Sequence, residues 1–248
     1  MTKSPASAGP VAPEVLADLA AASHILAAQG VVDAMGHISL RHPDAQDRFL
    51  MSRAMPPALV TPADLVEFDM NGDACGGDTR SGFLERFIHS EVYTARADVM
   101  SVVHSHSPSV IPFGLCDKPM QAMFHNAAFV AAGVPVFDIR TKFGTTDMLI
   151  CDCVRGGALA ETLGDKNVAL LRAHGSIAVG DTLQAAVFRA VYTEVNARIQ
   201  HWALALASGG PLAALSPEEG LLADEPNQGA AARAWQLWRS NVRAKTNW

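Results

Sequence analysis

Two short stretches place imidazoles where buried strands would end. In Val102-Val103-His104-Ser105-His106 the two histidines are two residues apart, and side chains at that spacing on a strand point to the same face, so both can reach one ion. The second stretch is the apolar run over 168–172, which delivers His174 at its mouth just before Gly175. Three imidazoles with an open coordination position make a catalytic rather than a closed structural site. A His-x-His pair alone is weak evidence for a metal, and the second strand-terminal histidine is what strengthens it. Such a donor set takes zinc or manganese, and iron or cobalt as well, because affinity follows general trends among these ions.

Glu85 is the candidate carboxylate partner, on a helix just ahead of the His104 strand. An exposed glutamate is the commoner fate, but Gly82-Phe83-Leu84 and Phe87-Ile88 make its surroundings too apolar for a solvated helix start. His89 lies four residues on and on the same helix face. It reads either as a partner of that carboxylate or, more commonly for a buried histidine, as a hydrogen-bonded structural residue.

The elements that must position these groups follow from periodicity. Apolar residues at helical spacing over 13–29, stopped by Gly30, predict an opening amphipathic helix. Short strand-like stretches follow at 37–41, 49–51 and 65–68, the last before Asn71-Gly72, a hairpin turn signal. Residues 82–97 predict a helix, 99–105 a strand, 122–132 a small-residue helix and 134–139 a strand. A helix interrupted at Gly156-Gly157 is expected over 146–163, a strand over 168–172, and a long helix over 182–207 capped by Asp181 or Thr182. Residues 211–229 suggest a connector before a short, Trp-bearing terminal helix, and residues 1–10 a flexible N-terminus. Alternating helices and strands around a mixed sheet predict a single layered α/β domain over 1–248.

Composition narrows the function classes. Apolar residues at 49% against 18% charged suit a compact enzyme with one large core. A formal charge of -6 without any Lys/Arg run argues against nucleic acid and anionic lipid as partners, leaving a small-molecule substrate. No apolar run approaches membrane-spanning length and no leader pattern opens the chain, so a cytoplasmic location is expected. Cys75, Cys116, Cys151 and Cys153 lack redox or zinc spacing and are expected to be buried, reduced thiols.

Taken together, Gly36-His37-Ile38-Ser39, the stretch from Glu85 to Tyr93, the run from Arg96 to His106, Phe143-Gly144-Thr145 and Ala173-His174-Gly175 resemble the class II aldolase/adducin family from about Val15 to Ala207. The resemblance implies a three-layer α/β/α domain with a mixed central sheet, and a divalent ion on His104, His106 and His174. It also implies Glu85 as acid/base or fourth ligand, Ser39 in a substrate-binding loop, and a homotetramer with sites near subunit interfaces. Phosphate-binding positions of the sugar-phosphate aldolases differ here, holding His37, Arg53-Ala54-Met55 and Phe83-Leu84. A phosphate needs several donors, which apolar side chains do not supply.

A planar aromatic acid fits those substitutions better, with Arg53 and His37 as substrate-binding groups, since Arg can hold a carboxylate through two parallel hydrogen bonds. His125 falls close to where aldolases keep an active-site tyrosine and is a candidate proton donor. The pattern is similar to the branch of the family that decarboxylates hydroxylated aromatic or pyridine dicarboxylates. It implies a metal-dependent carbon–carbon lyase. The alternatives are retro-aldol cleavage of a non-phosphorylated hydroxy-keto acid, Fe(II) oxygen chemistry, and a non-catalytic adducin-like module.

Overall fold

The structure, a computed structural model, describes residues 4–246. In chain order its elements are α1 (Pro13–Ala28), β1 (His37–His42), β2 (Ala45–Ser52), β3 (Leu65–Asp69), α2 (Arg86–Ala95), β4 (Ser101–Ser105), β5 (Val136–Phe137), α3 (Arg140–Phe143), α4 (Cys153–Leu163), β6 (Val168–Leu171), β7 (Gly175–Gly180), α5 (Leu183–Leu206) and α6 (Pro217–Arg243). The seven strands form one sheet in the order β3-β2-β1-β4-β7-β6-β5, antiparallel throughout except for the parallel β5–β6 pair.

Period-two alternation along the strands splits the core between the two faces. Ile38, Leu50, Val103 and Ala178 pack with α1, α5 and α6 on one side. Phe49, Met51, Val102, Ile177 and Val179 pack with α2 and α4 on the other. The result is the α/β/α sandwich with a mixed central sheet that the family resemblance implied. Each fully buried Leu, Ile or Phe adds roughly 1.5–3 kcal/mol relative to exposure, so both faces must be covered.

Several elements differ from the sequence reading for identifiable reasons. Residues 82–85 precede α2 rather than forming its first turn, and 122–132 contains only a kinked 3-10 stretch, His125–Val130, bent at Ala127. The strand expected over 134–139 shortens to two residues. The helix expected over 146–163 begins only at Cys153, where Asp152 caps it by accepting from the Arg155 N–H. Gly156-Gly157 does not interrupt it. A Cβ at Gly156 would sit 2.5 Å from the Phe87 carbonyl oxygen, so this glycine is where α4 presses on α2. The Asn71-Gly72 turn forms, but its return strand is a single bridge, Phe68 to Ala74.

The expected connector and short terminal helix become one 27-residue helix, α6, started by a Ser216–Glu219 capping box and running through Pro226. Residues 1–3 of the expected flexible N-terminus lie outside the described residues. The following segment is tied to β3 and its turn: the Ala8 N–H donates to Glu67 and the Gly76 N–H to the Pro5 carbonyl. Of the four free cysteines only Cys75 is buried, which corrects the expectation for the other three. Among the described residues no helix is long and apolar enough to cross a membrane.

Candidate metal centre

Strand register builds the centre. Antiparallel pairing sets His37 on β1 opposite His104 on β4, and Ser105 opposite Ser176 on β7. The hairpin between β6 and β7 turns through 172–174, so His174 arrives beside the end of β4. That turn holds Ala173 at φ 55, a left-handed conformation costing a non-glycine residue about 1–2 kcal/mol. Met148, close before the Ile150 amide that anchors Glu85, is another non-glycine residue of this kind, at φ 70. Backbone strain of this sort persists where the surrounding structure over-determines a site.

Ligand-capable atoms of Glu85, His104, His106 and His174 all lie within 4.8 Å of one another, and among the described residues no other group of three or more His, Cys, Asp or Glu converges this way. His104 Nε2 is 3.1 Å from His106 Nε2, and Glu85 Oε2 is 3.6 Å from His104 Nε2 and 3.4 Å from His174 Nε2. The other Glu85 oxygen accepts the Ile150 N–H at 3.0 Å. His104 Nδ1 donates to the Ser176 carbonyl at 3.1 Å, which leaves the Nε2 lone pair facing the cluster. A divalent ion suits this donor set of three imidazoles and one carboxylate, and His104 already has the outer hydrogen bond that such ligands carry.

Electrostatics agree. Burial pushes the Glu85 carboxyl up, but hydrogen bonds and charge from His104 and His174 override it and hold the group well below the usual carboxylate range. Burial, then the neighbouring His104 and His174, lowers His106 to about 4. An ionised Glu85 carboxylate and a His106 imidazole that resists protonation both suit metal binding, which requires deprotonated ligands.

Glu85, His104, His106 and His37 open into a cavity of about 400 Å³ whose remaining walls include Met35, Met55, Phe83, Leu84 and Leu149. A larger cleft of about 700 Å³ lies between α1 and the end of α6, but no metal-ligating cluster faces it.

The other sequence candidates divide. His37 lines the cavity as expected. Ser39 does not: it is fully buried, bonded to His89 and to the Tyr93 hydroxyl, so it cannot touch a substrate. Arg53 does not line the cavity either, and its Nε donates to Asp64 at 2.8 Å, although its neighbours Ala54 and Met55 form part of the wall. His125 is exposed at the start of the 3-10 stretch and does not line the cavity of its own chain. His89 bonds to His37 and Ser39, not to Glu85, and burial followed by the charge of His104 lowers it to about 3. The Ile150 amide and the Ser176 carbonyl were missed, because backbone groups leave no residue-type signal in a sequence.

The chain is similar to known proteins over nearly its whole length. The model of the family described as the class II aldolase and adducin N-terminal domain matches residues 17–201. The decarboxylase tropJ of Talaromyces stipitatus is 36% identical over 241 residues, covering 88% of this chain and 90% of the relative. A 3,4-dihydroxyphthalate decarboxylase from a Terrabacter species is 31% identical over 240 residues, covering 90% and 94%. Among solved structures, an aldolase II superfamily protein from Pseudomonas syringae superposes with a TM-score of 0.77 at 23% identity, covering 96% of this chain and 95% of that one.

Proposed function

The chain belongs to the class II aldolase and adducin family, and from that premise we propose that it is a divalent-metal-dependent carbon–carbon lyase removing CO2 from an ortho-hydroxy aromatic or pyridine carboxylate or dicarboxylate. The observation that carries this reading is the His/Glu cluster opening into a cavity walled by apolar side chains. Such walls stack on a flat ring and offer a phosphate no side-chain donors. Decarboxylase relatives spanning nearly the whole chain support the same reaction class.

His104, His106 and His174 would hold the ion, with Glu85 beside them. The ion, when bound, supplies Lewis acidity that draws electron density as CO2 leaves. When the bond between ring and carboxylate breaks, the electron pair stays on the ring carbon, which must then take a proton. Glu85 would carry it, a role supported by its two contacts: Oε1 is fixed by the Ile150 N–H, and Oε2 is the oxygen turned toward the cluster. Ionised at the outset, it accepts the substrate hydroxyl's proton and returns it to the ring carbon. His37 holds a second acceptor group of the substrate, and the apolar walls exclude water from the developing carbanion.

The assembly we propose is a homotetramer. Trp202 and Leu206 near the end of α5 and Leu221 and Leu222 on α6 are exposed, as suits faces covered by other copies. His125 retains a catalytic role in that assembly only, reaching the cavity of a neighbouring copy.

The test is metal content of protein purified without a chelating tag, followed by CO2 release from a panel of ortho-hydroxy aromatic and pyridine dicarboxylates. Release that disappears in His104→Ala supports the reading. Bound metal with no release from any member of the panel overturns it in favour of aldol cleavage or oxygen chemistry.

A further inference from the structure

Behind His37 lies a set of buried polar groups, His89, Ser39 and Tyr93, that the reaction above does not use. His37 Nδ1 is 2.7 Å from His89 Nε2, His89 Nδ1 is 2.6 Å from Ser39 Oγ, and Ser39 Oγ is 2.7 Å from the Tyr93 hydroxyl. Ser39 and His89 are fully buried and Tyr93 is 2% exposed. Buried polar groups must satisfy one another, and a chain of them has a direction set by whichever end supplies the hydrogen.

We propose that Tyr93, Ser39 and His89 form a one-way hydrogen-bonded line that positions His37, fixing its tautomer so that Nε2–H is presented to an acceptor oxygen of the substrate. The substrate half rests on the function proposed above, whereas the line itself does not.

The inner end decides the direction. Run outward, the Tyr93 hydroxyl donates to Ser39, Ser39 to His89 Nδ1, and His89 Nε2–H to His37 Nδ1. The single remaining proton of neutral His37 then sits on Nε2, the nitrogen left for the cavity. Run inward, Tyr93 would have to donate to the Met100 carbonyl at 3.4 Å, an oxygen that already accepts the Arg41 N–H at 2.7 Å. That is a poor end point for the strongest hydroxyl donor in the set. The Arg41 guanidinium lies 4.7 Å over the Tyr93 ring and draws density from it, which strengthens the phenol as a donor. A phenol is also a better donor than a serine hydroxyl, so the outward order matches each group to its better role.

Position adds to orientation. His37 packs against Phe83, with ring centroids 4.6 Å apart, and against His104 at 5.1 Å. With Nδ1 also held by His89, the ring has no free rotation, and its N–H stands at a fixed place relative to the metal ligands. A neutral donor held this way selects substrates carrying an oxygen acceptor at that place on the ring.

Nitrogen-15 NMR of full-length, histidine-labelled protein reads the tautomer directly, with the His37 signals assigned by comparison with His37→Gln. The expected spectrum has His37 protonated at Nε2 and unprotonated at Nδ1, with and without zinc. Protonation at Nδ1, or an exchange average of the two tautomers, overturns the proposal. In His89→Leu the single tautomer should be lost, whereas His89→Gln should keep it, because one amide can donate to His37 and accept from Ser39 in the same sense. Equal behaviour of the two variants would also overturn the line. With zinc bound, His89→Leu should weaken binding of 3-hydroxyphthalate about tenfold, the scale of one hydrogen bond to a charged group, while 2-hydroxybenzoate is unaffected. If zinc-loaded protein binds neither probe, the lyase reading fails, and the NMR arm, which needs no substrate, still decides the line. The wild-type spectrum needs no variant, so misfolding of His89→Leu cannot shelter the proposal.

Discussion

Replacing Gly175 by alanine should cost the centre its metal before it costs the protein its fold. A Cβ at this position would lie 2.1 Å from the Ser105 carbonyl oxygen and 3.1 Å from His106 Cδ2. To restore even a tight contact of about 3.2 Å, β7 and the end of β4 must part by about 1 Å at that point. Overpacking of this kind costs about 1–3 kcal/mol. Ligand positions are tighter still: metal–ligand distances tolerate roughly 0.2 Å, and the strand end being pushed carries His106. A loss of metal affinity of at least about tenfold follows, by analogy with perturbed outer-shell groups. Gly180, at the far end of the same strand and about 17 Å away by strand rise, is the control. A Cβ there meets the Ala186 amide nitrogen at 2.4 Å, so Gly180→Ala carries a similar overlap with no ligand nearby. Chelator-competition titration with zinc and thermal melting of the metal-free proteins separate the two effects. Similar losses of Tm with weakened metal binding only in Gly175→Ala are expected. Wild-type zinc affinity in Gly175→Ala would refute the steric reasoning.

Glu85→Gln should keep the fold, since an amide oxygen can still accept the Ile150 N–H, yet lower kcat by about 10²–10⁴, the usual scale for a lost proton carrier; near-normal turnover would remove Glu85 from the chemistry. Burial lowers His89 to about 3 against an ordinary value of 6.5, so between those limits the unfolded chain binds more protons and stability falls as pH drops from about 6.5 toward 3; a flat Tm of metal-free protein between pH 4 and 6.5 would contradict this. His125→Ala should lose activity alone and regain part of it when mixed and reassembled with inactive His104→Ala, because hybrid oligomers would contain some complete sites; no recovery would leave His125 without a role across copies.

Most of the scaffold was legible because one face of each strand is buried, and burial imposes a period of two on residue type. The alternation of Phe49, Leu50 and Met51 between the two cores illustrates this. The convergence of His104, His106 and His174 was legible for a related reason: strand ends leave imidazoles after apolar runs. What was not legible depended on contacts distant in sequence. Gly156 reads as a breaker by type, yet its function is to let Phe87 approach, 69 positions earlier. Strand β7 has glycine at both ends, and each is required by a close neighbour rather than by a turn. The sequence resemblance brought Ser39 into the site because it shares a motif with His37, but adjacent-but-one residues on β1 sit at different depths, and only His37 reaches the cavity.

The departure of Arg53 changes what the cavity can select. A guanidinium would have demanded a second charged group on the substrate, through a bidentate pair worth more than a neutral hydrogen bond. With Nε of Arg53 committed to Asp64, no Lys or Arg among the described residues lines the cavity, and His37 is the remaining polar contact outside the metal cluster. A neutral N–H donates to a carboxylate, a hydroxyl or a carbonyl oxygen with similar geometry, so the second acidic group becomes tolerated rather than required. Under the proposed reaction, chelation would fix where the scissile carboxylate sits, and the apolar walls would fix the plane of the ring. The identity of the remaining substituent is left to one hydrogen bond, worth about 0.5–1.5 kcal/mol to a neutral acceptor and about 1.5–3 kcal/mol to a charged one. Discrimination between mono- and dicarboxylates should therefore be about tenfold, the scale of one hydrogen bond to a charged group.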